Sequence, residues 1–262
     1  YAPAMQRRPA DIGQEVLDRE AEGLERLRVR FEKMRDAFDE AVQLIVSCPG
    51  RVIFCGMGKS GQIGRKIAST MVSTGTPCTF LHPAEGFHGE VGIVTSRDVV
   101  IAISNSGSTR EVIELVPTIR NLGARVIAMT GDADSVLGRA ADVVLAWGSF
   151  READETGLVP TVSSVLTLAL GDALTIAAMQ VRGFGAKDFE TEDQIKANAE
   201  RTNASIEKLS AAGLKVYYHN HWWEMDEIDG KLAIDWLLEN SSPENVGFEP
   251  DLARIVRGAA DP

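Results

Sequence analysis

Between Ala10 and Ser47 apolar residues return at steps of mostly three and four: Val16, Leu17, Leu24, Leu27, Phe31, Met34, Phe38, Val42 and Ile45 stand among acids and arginines. That period predicts one long amphipathic helix, ended by Pro49-Gly50. The pattern then changes. Apolar, largely β-branched runs at Val52–Cys55, Cys78–Leu81, Val99–Ser104, Val126–Thr130 and Val143–Trp147 carry no polar alternation. Such strands are buried on both faces, as in a parallel sheet. Helical patterns fit between them at Gln62–Val72, Arg110–Leu122 and Ser135–Ala141, and a long apolar helix, Ser163–Arg182, follows the last strand. The alternation predicts an α/β fold, a five-stranded parallel sheet flanked by helices. Ligands of such sheets sit at the carboxyl ends of the strands. The loops after Cys55, Leu81, Ser104 and Trp147 are therefore where chemistry is expected.

Length and composition refine that picture. The 262 residues suffice for one large α/β unit and a smaller appendage. Near Phe189 the composition shifts: His219 and His221 are two of the four histidines, and Trp222, Trp223 and Trp236 are three of the four tryptophans. A boundary there divides the chain into 1–190 and 191–262, with a polar helical stretch over Glu190–Ser205. The net charge of −11 disfavours a nucleic-acid partner, since no basic field exists to neutralise a phosphate backbone. A small anionic ligand stays open, because backbone amides can hold one phosphate inside an acidic protein. The apolar stretch Val165–Met179 is interrupted by Asp172 and too short to span a bilayer, so it reads as a buried helix. Tyr1–Pro9 carries arginines without an apolar core, which is not a secretory signal. Cys48, Cys55 and Cys78 are odd in number and unpaired in spacing, which suits free thiols in the cytoplasm.

Two loops carry phosphate chemistry. Gly56-Met57-Gly58-Lys59-Ser60-Gly61 joins a strand to a helix, the setting in which backbone N–H groups face an anion. Its spacing is not that of a P-loop. It matches the loose dinucleotide pattern, but His82-Pro83 stands where the ribose-binding acid belongs, so no redox cofactor is expected. Ser104-Asn105-Ser106-Gly107-Ser108-Thr109 is the second loop: four hydroxyls at a helix start make a cradle that needs no positive charge. Glu111 in the first turn of the next helix, and Glu152 beyond the fifth strand, are carboxylates able to move a proton between adjacent carbons. His82 and His88 share the loop after the second strand, which raises their interest as acid–base groups.

The segments GMGKSG, STGTP, HPAEGFHGEVG, ISNSGSTRE, READETGLVPT and LALGDAL resemble the sugar isomerase (SIS) domain, and more closely the arabinose 5-phosphate isomerases. The resemblance runs from about Ala10 to Phe189. It implies a homodimer or homotetramer with sites near subunit interfaces, no cofactor and a phosphosugar substrate. It places the family's functional lysine on Lys59 and its functional glutamates on Glu111 and Glu152. Sugar contacts fall on Gly75, Thr76, His82 and His88, and phosphate-binding hydroxyls on Ser60, Ser104, Ser106 and Thr109. His82 is also where the family takes an inhibitory zinc. One feature departs from the pattern: a histidine-bearing motif follows the last helix in the family, whereas here Asp188-Phe189 runs into Glu190-Thr191-Glu192-Asp193. Loss of one acid–base group lowers a rate by about 10²–10⁴.

The tail, AAGLKVYYHNHWWEMDEIDGKLAIDWLLENSSPENVGFEPD, is similar to the middle of the xylose isomerase-like TIM barrels. On that resemblance YYHNH and VGFEPD are adjacent strands, and His219, His221, Glu224 and Asp251 point to a substrate or metal end. About two of the eight βα units of a barrel are present, so the tail reads as an appendage and not a second site. The expected activity is reversible aldose–ketose isomerisation of a phosphosugar through an enediol. The alternative is a non-catalytic phosphosugar sensor; Lys59, Glu111 and Glu152 together favour the enzyme, because a pure binder needs no carboxylate near C1 and C2.

Overall fold

The computed structural model describes residues 7–183, 191, 193–197, 199–200, 203, 216–219, 227–241 and 246–249. The chain divides into two compact units, Tyr1–Arg182 and Gly183–Pro262.

The first unit opens with two helices, α1 (Pro9–Phe31) and α2 (Arg35–Val46), where the apolar period predicts one. The break has a local cause. Lys33 N–H bonds Arg30 C=O and Met34 N–H bonds Phe31 C=O at 2.9 Å, three residues back rather than four. This tightened turn lets the Phe31 ring meet Phe38 edge-on at 4.8 Å, closer than two turns of straight helix, about 10 Å, would place the two backbones.

The sheet follows the predicted order of elements. Strands β1 (Val52–Gly56), β2 (Cys78–Leu81), β3 (Val99–Ser104), β4 (Arg125–Thr130) and β5 (Val143–Ala146) lie in spatial order β2-β1-β3-β4-β5. All pairings are parallel: Val52 aligns with Cys78 on one side and Val99 on the other, Val99 with Arg125, and Ile127 with Val143. Between the strands run α3 (Gly58–Ser73), α4 (Pro83–Phe87), α5 (Arg110–Asn121) and α6 (Val136–Ala140), and α7 (Val162–Val181) closes the unit. Period-2 alternation splits each strand between two cores. Phe54, Ile101, Ile103, Met129 and Leu145 face α1, α2, α3 and α7, while Ile53, Val100, Ala102, Val126 and Ala128 face α5 and α6. Burial pushes the Cys55 and Cys78 thiols up to about 12, so neither is a ready nucleophile.

Two elements differ from expectation. Helix α4 and a 3₁₀ turn, Glu90–Ile93, occupy the loop after β2; they are too short to show a period. Helix α7 has the 20-residue length the period predicts, but its most apolar stretch reaches a mean hydropathy of 1.7, which makes it long and apolar enough to cross a membrane where Val165–Met179 alone reads as too short. Its apolarity has another use, since Leu166, Leu170, Leu174 and Ala178 are buried in the first core and α7 packs on α1, α2 and α3.

In the second unit, β6 (Val216–His219) pairs in parallel with β9 (Val246–Glu249), Val216 opposite Val246 and His219 opposite Glu249. That is the adjacency the second resemblance implies. A two-stranded ribbon of β7 (Glu227–Ile228) and β8 (Lys231–Leu232) precedes α8 (Ala233–Glu239). Residues 193–197 and 199–200 are helical, and Ile195, Ala199, Ala233, Ile234 and Leu237 form a small core. His221, Glu224, Asp251 and the Asp188-Phe189-Glu190 junction lie outside the described residues.

Candidate active site

The strand order reverses between β1 and β3: the chain steps from β1 outward to β2, then returns to β3 and continues the other way. A crevice opens at such a switch point, outside the carboxyl ends of the strands. Here the loops after β1 and β3 meet. The first is shorter than expected, because α3 begins at Gly58 and takes Lys59 and Ser60 into its first turn. Gly61 allows this; a Cβ there would collide with the Gly56 carbonyl oxygen. The N-cap residue of α3 is Met57, which makes no side-chain hydrogen bond to the helix. The leading amides of α3 are thus left for a ligand, at the positive end of the helix dipole.

The loop after β3 is shaped by Gly107, whose φ of +61° suits glycine and whose α-carbon has no room for a methyl group beside Ser135. Ser104 is buried, and its hydroxyl shares a 2.8 Å hydrogen bond with that of Thr109. Those two hydroxyls brace the loop from within. Ser106 Oγ accepts from Ser108 N–H at 3.2 Å and from Ser108 O–H at 3.0 Å, so its own proton remains to donate. Thr109 N-caps α5 without a side-chain bond. Two helix N-termini without side-chain caps therefore flank the crevice. Glu111 sits half-buried in the first turn of α5.

Beyond β5 the chain turns back to bring Glu152 to the start of α7. Its Oε2 accepts from Thr161 N–H at 2.9 Å, Thr161 O–H at 3.1 Å and Ser163 N–H at 3.2 Å. Its Oε1 accepts from the Ser163 hydroxyl. The carboxylate thus caps α7 from outside the helix, where an anion is favoured. The intervening turn is built on Asp154, whose carboxyl is lowered to about 2 by the Thr156 hydroxyl and then by the Leu158 and Val159 amides.

These parts enclose a cavity of about 270 Å³, bordered by Lys59, Ser60, Asn105, Glu152, Leu158 and Ser163. Lys59, Ser60 and Glu152 are thereby brought together, with Ser106, Thr109 and Glu111 on the adjoining loop and helix. Asn105 is not among the residues the sequence marks. Its Oδ1 accepts from the buried Trp147 indole N–H at 3.0 Å. The indole only donates, so the orientation of the carboxamide is fixed and its two N–H groups remain as donors. Thr161 and Ser163 are likewise unmarked; their one legible signal is a run of hydroxyls, Thr161-Val162-Ser163-Ser164, shortly after Glu152. A larger cavity, about 630 Å³, lies at the opposite edge of the sheet around Arg51, Arg97 and Asp98, and holds none of the expected site residues.

Four expected residues stand apart. His82 ends the β2 side of the sheet as N-cap of α4, and His88 is exposed at that helix's C-terminus; neither borders the 270 Å³ cavity. Gly75 and Thr76 precede β2, at the amino edge. His82 Nδ1 and Thr76 Oγ1 are both buried without a hydrogen-bond partner, an arrangement that costs free energy unless a ligand supplies one. Among the described residues no group of three or more His, Cys, Asp or Glu could hold a metal. One histidine does not make a zinc site.

Comparison with known proteins gives this architecture relatives. Residues 45–177 match the SIS domain. An arabinose 5-phosphate isomerase, KdsD, of Pseudomonas aeruginosa is 50% identical over 169 residues, 64% of this chain and 52% of that one. Its Salmonella typhi counterpart is 47% identical over 177 residues, 68% and 53% of the two chains. An Escherichia coli CFT073 protein solved in complex with arabinose 5-phosphate superposes with a TM-score of 0.64 at 35% identity, covering 69% of this chain and 96% of that one. The chain spans about half the length of the curated relatives it matches.

Proposed function

This chain belongs to the SIS domain family, and from that membership we propose that it interconverts an aldose phosphate and a ketose phosphate, with D-arabinose 5-phosphate and D-ribulose 5-phosphate the preferred pair. The observation that carries the reading is the meeting of Lys59, Ser60 and Glu152 around one cavity at the switch point, between two helix N-termini free of side-chain caps. The names of the relatives supply the sugar.

In this reading the α3 and α5 N-termini, with Ser60, Ser106 and Thr109, anchor the phosphate. A remote anchor fixes C1 and C2 against the reacting groups, which is where intramolecular reactions gain their advantage. Ser104 supports that loop rather than touching the ligand, because it is buried beneath Thr109, which is itself only half-buried and whose hydroxyl can receive the Ser104 proton while donating its own. His88 is exposed and stands apart from this cavity, so in this reading it assists ring opening only where a second copy brings it to the site. A glutamate, Glu152 or Glu111, takes the C2 proton of the open-chain aldose. The C2–H electron pair becomes the C1=C2 bond and the carbonyl pair moves to O1. The O2 proton passes to O1, and the carbon-bound proton returns to C1 as O2 becomes the carbonyl. No electrons are gained or lost, so the step needs no redox cofactor. The Lys59 ammonium stabilises the enediolate oxygen. Gly75 and Thr76 lie at the far edge of the sheet from this cavity; a second copy in a homodimer or homotetramer would be needed to bring them to it. A phosphosugar substrate implies action in the cytoplasm.

Deuterium exchange by NMR tests the reading. Arabinose 5-phosphate in D₂O is expected to convert to ribulose 5-phosphate with exchange at C2, and Glu152→Gln is expected to lose both on the same timescale. Saturable binding with neither exchange nor conversion would overturn it in favour of a sensor.

A further inference from the structure

Glu152 is held in an unequal grip, and the inequality says which oxygen can react. Oε2 accepts three hydrogen bonds, from Thr161 N–H, Thr161 O–H and Ser163 N–H, at 2.9, 3.1 and 3.2 Å. A carboxylate offers about two lone-pair sites per oxygen, so Oε2 has none left for a proton. Among the described residues Oε1 accepts only the Ser163 hydroxyl and keeps one site open. The grip is itself anchored. Thr161 Oγ1 accepts the Ala153 N–H at 2.8 Å, so its proton is committed to Glu152. That closes a ring through Glu152, Ala153 and Thr161 and fixes the carboxylate's rotation. Ser163 is 7% exposed and sits in the first turn of α7, whose 20 residues form the longest apolar rod of the core. Both Ser163 and Glu152 border the 270 Å³ cavity with Lys59.

We infer that Thr161 and Ser163 are positioning residues that clamp Glu152 on the N-terminus of α7 and leave Oε1 as its proton-transferring oxygen, an assignment that rests on the isomerase reading and makes Glu152, rather than Glu111, the carbon base. In the step, Oε1 takes the C2 proton and returns it to C1, while the Ser163 hydroxyl stays bonded to the same oxygen and Oε2 keeps its three donors. Without that hydroxyl the carboxyl oxygen keeps its charge but loses its aim. The rival reading is that Glu152 is only the cap of α7, in which case these hydroxyls contribute to stability alone.

The test measures kcat, KM, inhibition by inorganic phosphate and Tm for the full chain and for Ser163→Ala, Ser163→Thr and Thr161→Val, and C2 exchange in D₂O for the full chain, Glu111→Gln and Glu152→Gln. Ser163→Ala and Thr161→Val are expected to lower kcat by about 10- to 100-fold, the worth of one hydrogen bond to a charged group. KM and phosphate inhibition should be unchanged, and Ser163→Thr should restore most of kcat. Amide exchange at Thr161 and Ser163 checks, independently of activity, that α7 keeps its first turn. A lower Tm with kcat intact, or loss of C2 exchange in Glu111→Gln but not Glu152→Gln, would overturn the assignment and leave the isomerase standing. Absence of C2 exchange in the unaltered chain would overturn the isomerase reading and this assignment with it.

Discussion

The indole of Trp147 can only donate, so its 3.0 Å bond to Asn105 Oδ1 leaves both carboxamide hydrogens to donate elsewhere, on a residue that borders the cavity. Replacing Asn105 by Asp keeps the acceptor that Trp147 needs and exchanges the donor for a charge. Asn105→Asp is therefore expected to raise the KM for a phosphosugar by about tenfold or more, with Tm little changed; steady-state kinetics beside a thermal melt checks this, and an unaltered KM would remove Asn105 from the site. Glu152→Gln keeps the side chain's size and removes its basicity. The expected loss is about 10²–10⁴ in kcat with inorganic phosphate inhibition unchanged, read by the same kinetics. Asp154 acts through shape. Its carboxyl is held down to about 2 by Thr156 and the Leu158 and Val159 amides, below the ordinary value near ~3.9. A lowered folded-state value means a contribution fully present above the ordinary value and lost as pH falls toward 2. Protection of the Leu158 and Val159 amides should therefore hold at pH 5 and disappear between about pH 4 and 2; protection unchanged at pH 2 would show the turn to be held by other contacts. None of these three roles is written in residue type alone: an asparagine, a glutamate and an aspartate in polar loops take their meaning from a buried indole, a helix end and a turn.

Among the elements, the strands were the most legible, because a strand buried on both faces has no choice but to be apolar throughout. Helix ends were less so. The start of α3 at Gly58 rather than Gln62 follows from Gly61 closing onto the Gly56 carbonyl, a contact between backbone atoms that leaves no mark on hydropathy. The break between α1 and α2 is similar: Phe31, Met34 and Phe38 continue the apolar stripe, and the turn shows only in the three-residue backbone hydrogen bonds of Lys33 and Met34 and the ring contact at 4.8 Å. The loop from β3 to α5 depends on Gly107. Gly107→Ala meets both a left-handed backbone at φ +61° and the Ser135 side chain. A loss of about 2–4 kcal/mol is expected, as strain and overpacking add; urea melts measure it, and a loss under about 0.5 kcal/mol, the scale of an ordinary surface change, would show that the loop relaxes freely.

For the whole molecule, the division into Tyr1–Arg182 and Gly183–Pro262 leaves Lys59, Ser60, Asn105 and Glu152 within one unit. A chain ending at Phe189 is expected to retain C2 exchange at a rate close to that of the full chain, and loss of exchange with the fold intact would mean that the second unit serves the site. The α/β class, the succession of strands along the chain and three of the four loops expected to carry chemistry, those after β1, β3 and β5 that border the cavity, were legible in the residues alone, because hydrophobic period and glycine placement are local properties that burial writes directly into residue type. The parallel pairing of β6 with β9 was legible too, through resemblance rather than period. Which of the candidates meet is a matter of tertiary structure. Lys59, Ser60 and Glu152 converge because β1 and β5 end on the same side of one sheet and α7 returns its N-terminus there, whereas Gly75 and Thr76, equally marked in the sequence, precede β2 and so fall at the opposite edge. Convergence is set by the register and direction of strands far apart in the chain, and no local pattern carries that information.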